Sequence, residues 1–303
     1  MEAVDVLGNA AAKGGRQHLD RVVDSLERRG VEARLIQASS PEQARAGAQR
    51  AVADGTRRLI AVGGDGVVHL AVTAVATTNT VLGVVPFGTG NDFARALGLL
   101  DGDIDAQIDR ALAAPVAVDA IRTSHGWVAT VATLGFSGDV TERANALRWP
   151  RGQHRYTVAT LMQLPRLRTL PVVVEVDGRS VGGDTTLLAV GNTAYFGGGM
   201  LICPAARPAD GRVQVVSIGA VSRLRFLRVF PSVFSGRHVE RREVDVAQGS
   251  RVTVSGASSS DGSAPALDVW ADGERLGSLP IELEVVPGAL AVAGARLEHG
   301  TDG

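Results

Sequence analysis

The sequence predicts two lobes, an α/β N-terminal lobe on a mostly parallel sheet and a β-rich C-terminal lobe of β-sandwich type. Three observations carry this. Strand-like and helix-like segments alternate through the first third of the chain, the pattern of a parallel sheet covered on both faces. From about Val116 the apolar period shortens to that of strands set between Gly and Asp turns. At 303 residues, 45% of them hydrophobic, the chain is long enough to bury about two cores.

In order, Ala3 to Leu7 reads as a strand, Gln17 to Arg28 as an amphipathic helix, Val31 to Ile36 as a strand and Pro41 to Ala53 as a helix. Arg58 to Val62 is a buried strand, Val67 to Ala76 a helix, Val81 to Pro86 a strand, Asp92 to Leu99 a helix and Ile104 to Ala113 a more polar helix. The β-rich part follows with Val116 to Ile121, Trp127 to Leu134, Val172 to Val176, Thr186 to Val190, Val213 to Ile218, Arg251 to Ser255, Leu267 to Ala271 and Ile281 to Val285. Helical stretches at Asp139 to Leu170 and Ser222 to Ser235 interrupt it, and Gly256 to Ala264 is a small-residue loop. The expected domains are 1–118 and 119–303, with 287–297 folding back on the first.

Composition excludes several partners. The formal net charge is -1 and the basic residues are scattered, so nucleic acid is not expected. Cys203 is the single cysteine and has no partner for a disulfide, which fits a reducing, cytoplasmic compartment. Met1 to Ala12 shows no basic leader before an apolar block. Asn79 and neighbouring threonines split the weakly polar stretch Val67 to Phe87, so no transmembrane segment is expected. Leu224, Phe226, Leu227, Phe230 and Phe234, interleaved with Arg223, Arg225 and Arg228, describe a basic, aromatic helix suited either to an anionic bilayer surface or to packing on the β-rich lobe with its arginines in water. The stretch Arg143 to Arg168, with Trp149, Tyr156, Leu161 and Met162, mixes arginines with large apolar side chains in the same way.

The sharpest motif is Gly63-Gly64-Asp65-Gly66, after a buried strand and before a helix. Glycines there let the backbone approach a phosphate, the helix start offers N–H groups, and the carboxylate can hold a metal ion. The next strand ends in Gly88-Thr89-Gly90-Asn91-Asp92, which repeats that logic, and neighbouring parallel strand ends face one crevice. Asp92 also suits a helix N-terminus. Lys13, the only lysine in the chain, is marked as a phosphate contact.

These loops resemble the nucleotide-binding signature of the diacylglycerol kinase catalytic domain, shared by bacterial soluble lipid kinases, sphingosine kinases and ceramide kinases. The resemblance implies a first lobe like that of phosphofructokinases and NAD kinases. It implies that Asn9 to Gly15, with Asn9 and Lys13, is the first phosphate-contacting loop, and that Gly63 to Val67 and Gly88 to Asp92 hold ATP. It assigns Asp65, Asp92 and Asp119 to a magnesium network. Asp139, in Gly135-Phe136-Ser137-Gly138-Asp139, falls where an acid meets the lipid head group. Gly197-Gly198-Gly199-Met200 through Asp210-Gly211 is similar to a structural metal loop, with Asp210 and the carbonyls of Arg207 and Arg212. Asp272, in Asp272-Gly273-Glu274, falls where bacterial members carry the proposed catalytic base, and Asp65 competes for that role.

The implied reaction is transfer of the γ-phosphate of ATP, with Mg²⁺, to a lipid hydroxyl, diacylglycerol first. The implied partners are a lipid at the membrane surface and a second copy in a homodimer. Open alternatives are another lipid such as a sphingoid base or phosphatidylglycerol, a soluble substrate as in NAD kinases, and a binding protein without catalysis. Three positions depart from the family pattern: Val67 stands where Thr is usual, Leu70 where Glu is common, and Gln37 where a nucleotide-contacting Thr is expected, with Ser39 and Ser40 close by.

Overall fold

The computed structural model describes residues 2–9, 14–147, 153–257 and 267–297. Contacts divide the chain into two units, Met1–Ala120 with Pro287–Gly303, and Ile121–Val286.

In the first unit, β1 (Glu2–Gly8), α1 (Gly15–Arg28), β2 (Val31–Ile36), α2 (Pro41–Ala53), β3 (Arg58–Gly63), α3 (Asp65–Val75) and β4 (Val81–Pro86) alternate, followed by α4 (Asp92–Ala96), α5 (Ile104–Leu112) and β5 (Pro115–Thr123). The strands run parallel in the order β2-β1-β3-β4. Their apolar residues are continuous, as in buried Leu59 to Val62, because helices cover both faces. Val4, Val6, Ile60 and Val62 meet Leu19, Val22 and Leu26 of α1 and Ile108 of α5 in one core. Helix α2 starts where expected because Ser40 accepts a hydrogen bond from the Gln43 N–H at 3.3 Å and Pro41 opens the first turn. The helix expected to reach Leu99 ends at Ala96, and Gly98 follows in the left-handed region at φ 64°.

The second unit contains β6 (Gly126–Val128), β7 (Val131–Gly135), α6 (Phe136–Ala146), α7 (Gln153–Gln163), β8 (Val172–Val176), β9 (Arg179–Ser180), β10 (Leu187–Gly191), β11 (Val213–Ile218), α8 (Arg223–Val229), β12 (Val244–Gly249), β13 (Arg251–Gly256), β14 (Asp268–Ala271), β15 (Glu274–Ser278) and the start of β16 (Ile281–Ala293). One antiparallel sheet runs β12-β11-β10-β7-β14-β15. In the other, β8 and β13 pair with each other and with β9 and the first part of β16. Side chains from both sheets fill one core, with Leu134, Leu188 and Val269 from the first and Val174, Val254 and Leu283 from the second. This is the sandwich the sequence predicts.

Four differences are informative. The single strand expected at Trp127 to Leu134 is two, broken at Ala129 and Thr130. Helix α8 gives way to 3-10 turns that begin at Phe230, where the next residue, Pro231, cannot supply a helical N–H. Strand β12 was missed because it is an edge strand with Asp245, Val246 and Gln248 all exposed, so it shows no apolar alternation. The last strand does not stop at Val285: it passes Pro287 into the first unit, where Ala291 and Val292 pair parallel with Val81 and Leu82. Most of the loop expected at Gly256 to Ala264 lies outside the described residues.

Candidate active site

Strands β3 and β4 end side by side, with Gly63 opposite Pro86, so the loops that follow leave the same sheet edge. Hydrogen bonds from backbone N–H groups stitch them. The Phe87 N–H donates to the Gly63 carbonyl at 2.8 Å, and the Asp92 N–H donates to Asp65 Oδ1 at 2.7 Å. Gly64 and Gly88 touch backbone to backbone: a Cβ on Gly88 would lie 2.5 Å from the Gly64 Cα, and one on Gly64 3.2 Å from the Gly88 Cα. No side chain fits there, which leaves a cradle of bare peptide groups. Asn91, at φ 53°, donates from Nδ2 to the Gly88 carbonyl at 2.9 Å and fixes that turn. Thr89 is exposed and Gly90 half-buried. Helix α3 starts at Asp65 without a side-chain cap, so its first turn presents peptide N–H groups and the positive end of its dipole. Val67 packs backwards, since a Cβ on Gly63 would meet its Cγ2 at 2.6 Å. Gln37 is exposed, and Ser39 and Ser40 are both engaged with Gln43 in capping α2.

The start of α1 meets the same region. Asn9 is exposed at the end of β1, and Gly14, at φ 77°, opens α1. One turn on, His18 stacks on Phe87 of the β4 loop, ring centroids 4.0 Å apart and planes at 12°. Burial, aided by the Arg21 charge, holds the His18 imidazole below its usual range, so a neutral ring stacks there. Sequence reasoning missed His18, and its only signal is its place one turn beyond Gly14. Lys13 lies outside the described residues.

Asp65, half-buried, and Asp92, 6% exposed, stand on the two stitched loops. Asp119, 3% exposed, accepts the Gly288 N–H at 2.8 Å. Among the described residues no three His, Cys, Asp or Glu side chains converge on a metal position. Two carboxylates with phosphate and water oxygens are what Mg²⁺ ordinarily takes, so the Asp65 and Asp92 loops fit that ion without an all-protein cage. Asp210 accepts the Arg212 N–H at 2.9 Å in an exposed turn with Arg207 and Arg212.

In the second unit, Asp272 and Gly273 form the two-residue turn between β14 and β15, at φ 52° and 88°, the backbone of a tight hairpin. The Asp272 carboxylate points inward, 8% exposed. It accepts the Ala129 N–H at 2.9 Å, the Thr130 N–H at 2.9 Å and the Thr130 hydroxyl at 2.5 Å. That is why the strand breaks at these two residues. Fully buried Asn192 grips the other side of the same peptide, its N–H to the Thr130 carbonyl at 2.9 Å and its Nδ2 to that of Ala129 at 3.1 Å. Thr130 and Asn192 were not found from sequence, because the donors and the acid are far apart in the chain. Asp139 lies in the first turn of α6, half-buried, and burial holds its carboxyl above the usual carboxylate range against the pull of Arg168 and Arg166.

The basic, aromatic helix is corrected in one respect. Phe226 is buried against Phe136, ring centroids 5.1 Å apart, and stacks on Phe230, which meets Phe234. The aromatics are core, and Arg225 pairs with Glu243 at 2.6 Å. Among the described residues, Leu224 and Leu227 of α8 and Leu161 and Met162 of α7 are the large exposed apolar side chains of the two stretches, with Leu224 at 63%. Trp149 and the Tyr156 side chain lie outside the described residues. No helix among the described residues is long and apolar enough to cross a membrane.

Comparison with known proteins agrees with this geometry. Residues 6–123 match the diacylglycerol kinase catalytic domain, and residues 130–294 match the YegS C-terminal NAD kinase beta sandwich-like domain. A diacylglycerol kinase of Mycobacterium tuberculosis (strain ATCC 25618 / H37Rv) is 39% identical over 91% of this chain and 88% of its own. A diacylglycerol kinase of Bacillus subtilis (strain 168) is 27% identical over 88% and 87%. A crystal structure of a diacylglycerol kinase from Bacillus anthracis str. Sterne superposes with a TM-score of 0.71 at 16% identity, covering 96% of each chain, and so shares the fold. The catalytic domain implies ATP as phosphoryl donor. The chain therefore belongs to the diacylglycerol kinase family and is a diacylglycerol kinase-like lipid kinase.

Proposed function

We propose that this chain transfers the γ-phosphoryl group of ATP to the free hydroxyl of diacylglycerol, with Mg²⁺, at a membrane surface. The observation that carries the reading is the pair of loops joined at Gly64 and Gly88 with Asp65 hydrogen-bonded to Asp92, and relatives named for diacylglycerol supply the acceptor class. In this reading residues 1–118 bind nucleotide and 119–303 bind lipid, with 287–297 returning to the first domain. The bare peptide edge of Gly63 to Val67 and of Gly88 to Asp92 orients the phosphates, assisted by Asn9 and Lys13. Asp65 and Asp92 hold Mg²⁺, with Asp119 in its wider network. Bound Mg²⁺ neutralises the charge that builds on the phosphates during transfer. Asp272, fixed by Ala129 and Thr130, takes the proton of the acceptor hydroxyl, and Asp139 meets the head group. Asp210, with Arg207 and Arg212, steadies the second unit through a structural ion. Exposed Leu161, Met162, Leu224 and Leu227 rest on the bilayer, with Arg228 beside them for anionic lipid.

The test is transfer of labelled γ-phosphate into diacylglycerol, sphingosine, ceramide, phosphatidylglycerol and NAD. Label should enter diacylglycerol, and Asp272→Asn and Asp65→Asn should each lower turnover by about 10²–10⁴-fold with unchanged circular dichroism. Label in NAD or in another lipid alone overturns the acceptor, and near-wild-type rates in both variants overturn the assigned roles.

A further inference from the structure

Between the Asp272 turn and the helix that carries Asp139 stands one large side chain. Trp270 lies two residues before Asp272 on β14, at a register shift in the pairing with β15 between Val269 and Trp270. Such a shift re-aims the side chain beside it and is common next to active sites. The indole lies on Gly138 in the first turn of α6: a Cβ there would sit 2.7 Å from Cδ1 and 2.8 Å from Nε1. Gly138 does not adopt a positive φ, so its side chain is missing for want of room, not for backbone conformation. Across the strand pair, Trp270 faces Thr133 of β7. Thr133 is 2% exposed, and its hydroxyl has no hydrogen-bond partner among the described residues, although buried hydroxyls are ordinarily bonded. Trp270 itself is only half-buried, so part of the ring stays open beside both acids' segments.

We propose that Trp270 is a positioning and specificity-determining residue of the acceptor site. Its indole sets how closely the Asp139 turn approaches the Asp272 turn, and its open edge is the apolar wall against which the glycerol portion of the acceptor lies. Gly138 is the matching socket. The inference rests on the reading that Asp272 and Asp139 meet the acceptor. A methyl on Gly138 then shifts one acid relative to the other, and a displacement of about 1 Å can cost about 10²-fold in rate.

The experiment uses the full chain, with dioctanoylglycerol in detergent micelles as acceptor and kcat and KM measured for both substrates. Gly138→Ala should lower kcat with the lipid by about 10²-fold while leaving KM for ATP unchanged, and adding Trp270→Leu, which makes room for the methyl, should recover most of the loss in kcat while KM for the lipid, deprived of the indole wall, rises. The proposal is overturned if Gly138→Ala behaves as wild type, if KM for ATP moves in step, or if Trp270→Leu recovers nothing. Should Gly138→Ala fail to fold, Trp270→Phe alone must raise KM for the lipid and not for ATP, and an unchanged or shared effect is equally fatal. A fully active Asp272→Asn sinks the underlying reading, whereas an inactive Asp272→Asn beside a fully active Gly138→Ala sinks only the role of Trp270.

Discussion

The glycine loops of the first unit and the Asp272 turn of the second are built from different materials. At Gly64 and Gly88 the contact is backbone on backbone, and the residues that make it stand in two short runs, each at the end of its own parallel strand. Asp272 is instead held by side-chain and main-chain donors 142 and 143 positions away in sequence, and Asn192 holds those donors from behind. A site that presents peptide groups tolerates no added atom, whereas a site that aims one carboxylate depends on the number of hydrogen bonds that aim it. Substitutions at the two places should therefore fail differently, the first by exclusion and the second by loss of orientation.

The largest effect is expected at Gly88→Ala. Its Cβ would lie 2.5 Å from the Gly64 Cα, and neither backbone can give way without moving a strand end. Steady-state kinetics should show a fall of about 10²-fold or more in kcat/KM for ATP, and urea unfolding a loss of about 1–3 kcal/mol. An unaffected ATP constant would mean that the close approach is not part of nucleotide binding. Thr130→Val comes next: it removes the 2.5 Å hydroxyl bond to Asp272 and leaves both peptide donors in place. A stability loss of about 1 kcal/mol and a drop of about tenfold in kcat, with KM for ATP constant, would separate orientation from binding.

The smallest effect, and the one that sharpens the contrast electrostatically, is Asp139→Asn. Burial holds the folded Asp139 carboxyl above the usual carboxylate range, so the folded state binds this proton more tightly than the unfolded chain. Ionising Asp139 therefore opposes folding above its folded pKa, and that opposition fades as pH falls toward the unfolded value near about 3.9. Asp139→Asn should raise Tm slightly at neutral pH and match wild type in acid; a gain that grows as pH falls would contradict the sign.

Much of the first unit was legible in sequence because local signals and the fold agree there. Ser40, Pro41 and the apolar period mark α2 to the residue, and Leu59 to Val62 reads as buried on both faces. The phosphate-type loops were legible for the same reason, since each is contiguous. The break at Ala129 and Thr130 was not, because its cause is an acid far downstream. The aromatic helix was half-read: Phe226 and Phe230 keep the same spacing whether the partner is a bilayer or Phe136, and only packing decides. The run of β16 beyond Val285 was lost because Pro287 and Gly288 carry the signature of a turn, while the chain keeps both, exposed, within β16 and takes up the irregularity at Gly288, whose φ is 62°.

That strand gives the molecule an order of assembly. Ala291 and Val292 cover the edge of β4, and the same tail satisfies the Thr77 N–H and the Leu97 and Ala114 carbonyls. All of these partners emerge from the ribosome well before the residues that complete them. Until the tail arrives, Val81 and Leu82 present an open parallel edge, the kind of surface that recruits strands from other chains. The unit that is synthesised first is thus the one finished last, and its time with an unprotected edge is set by how long the second unit takes to be made.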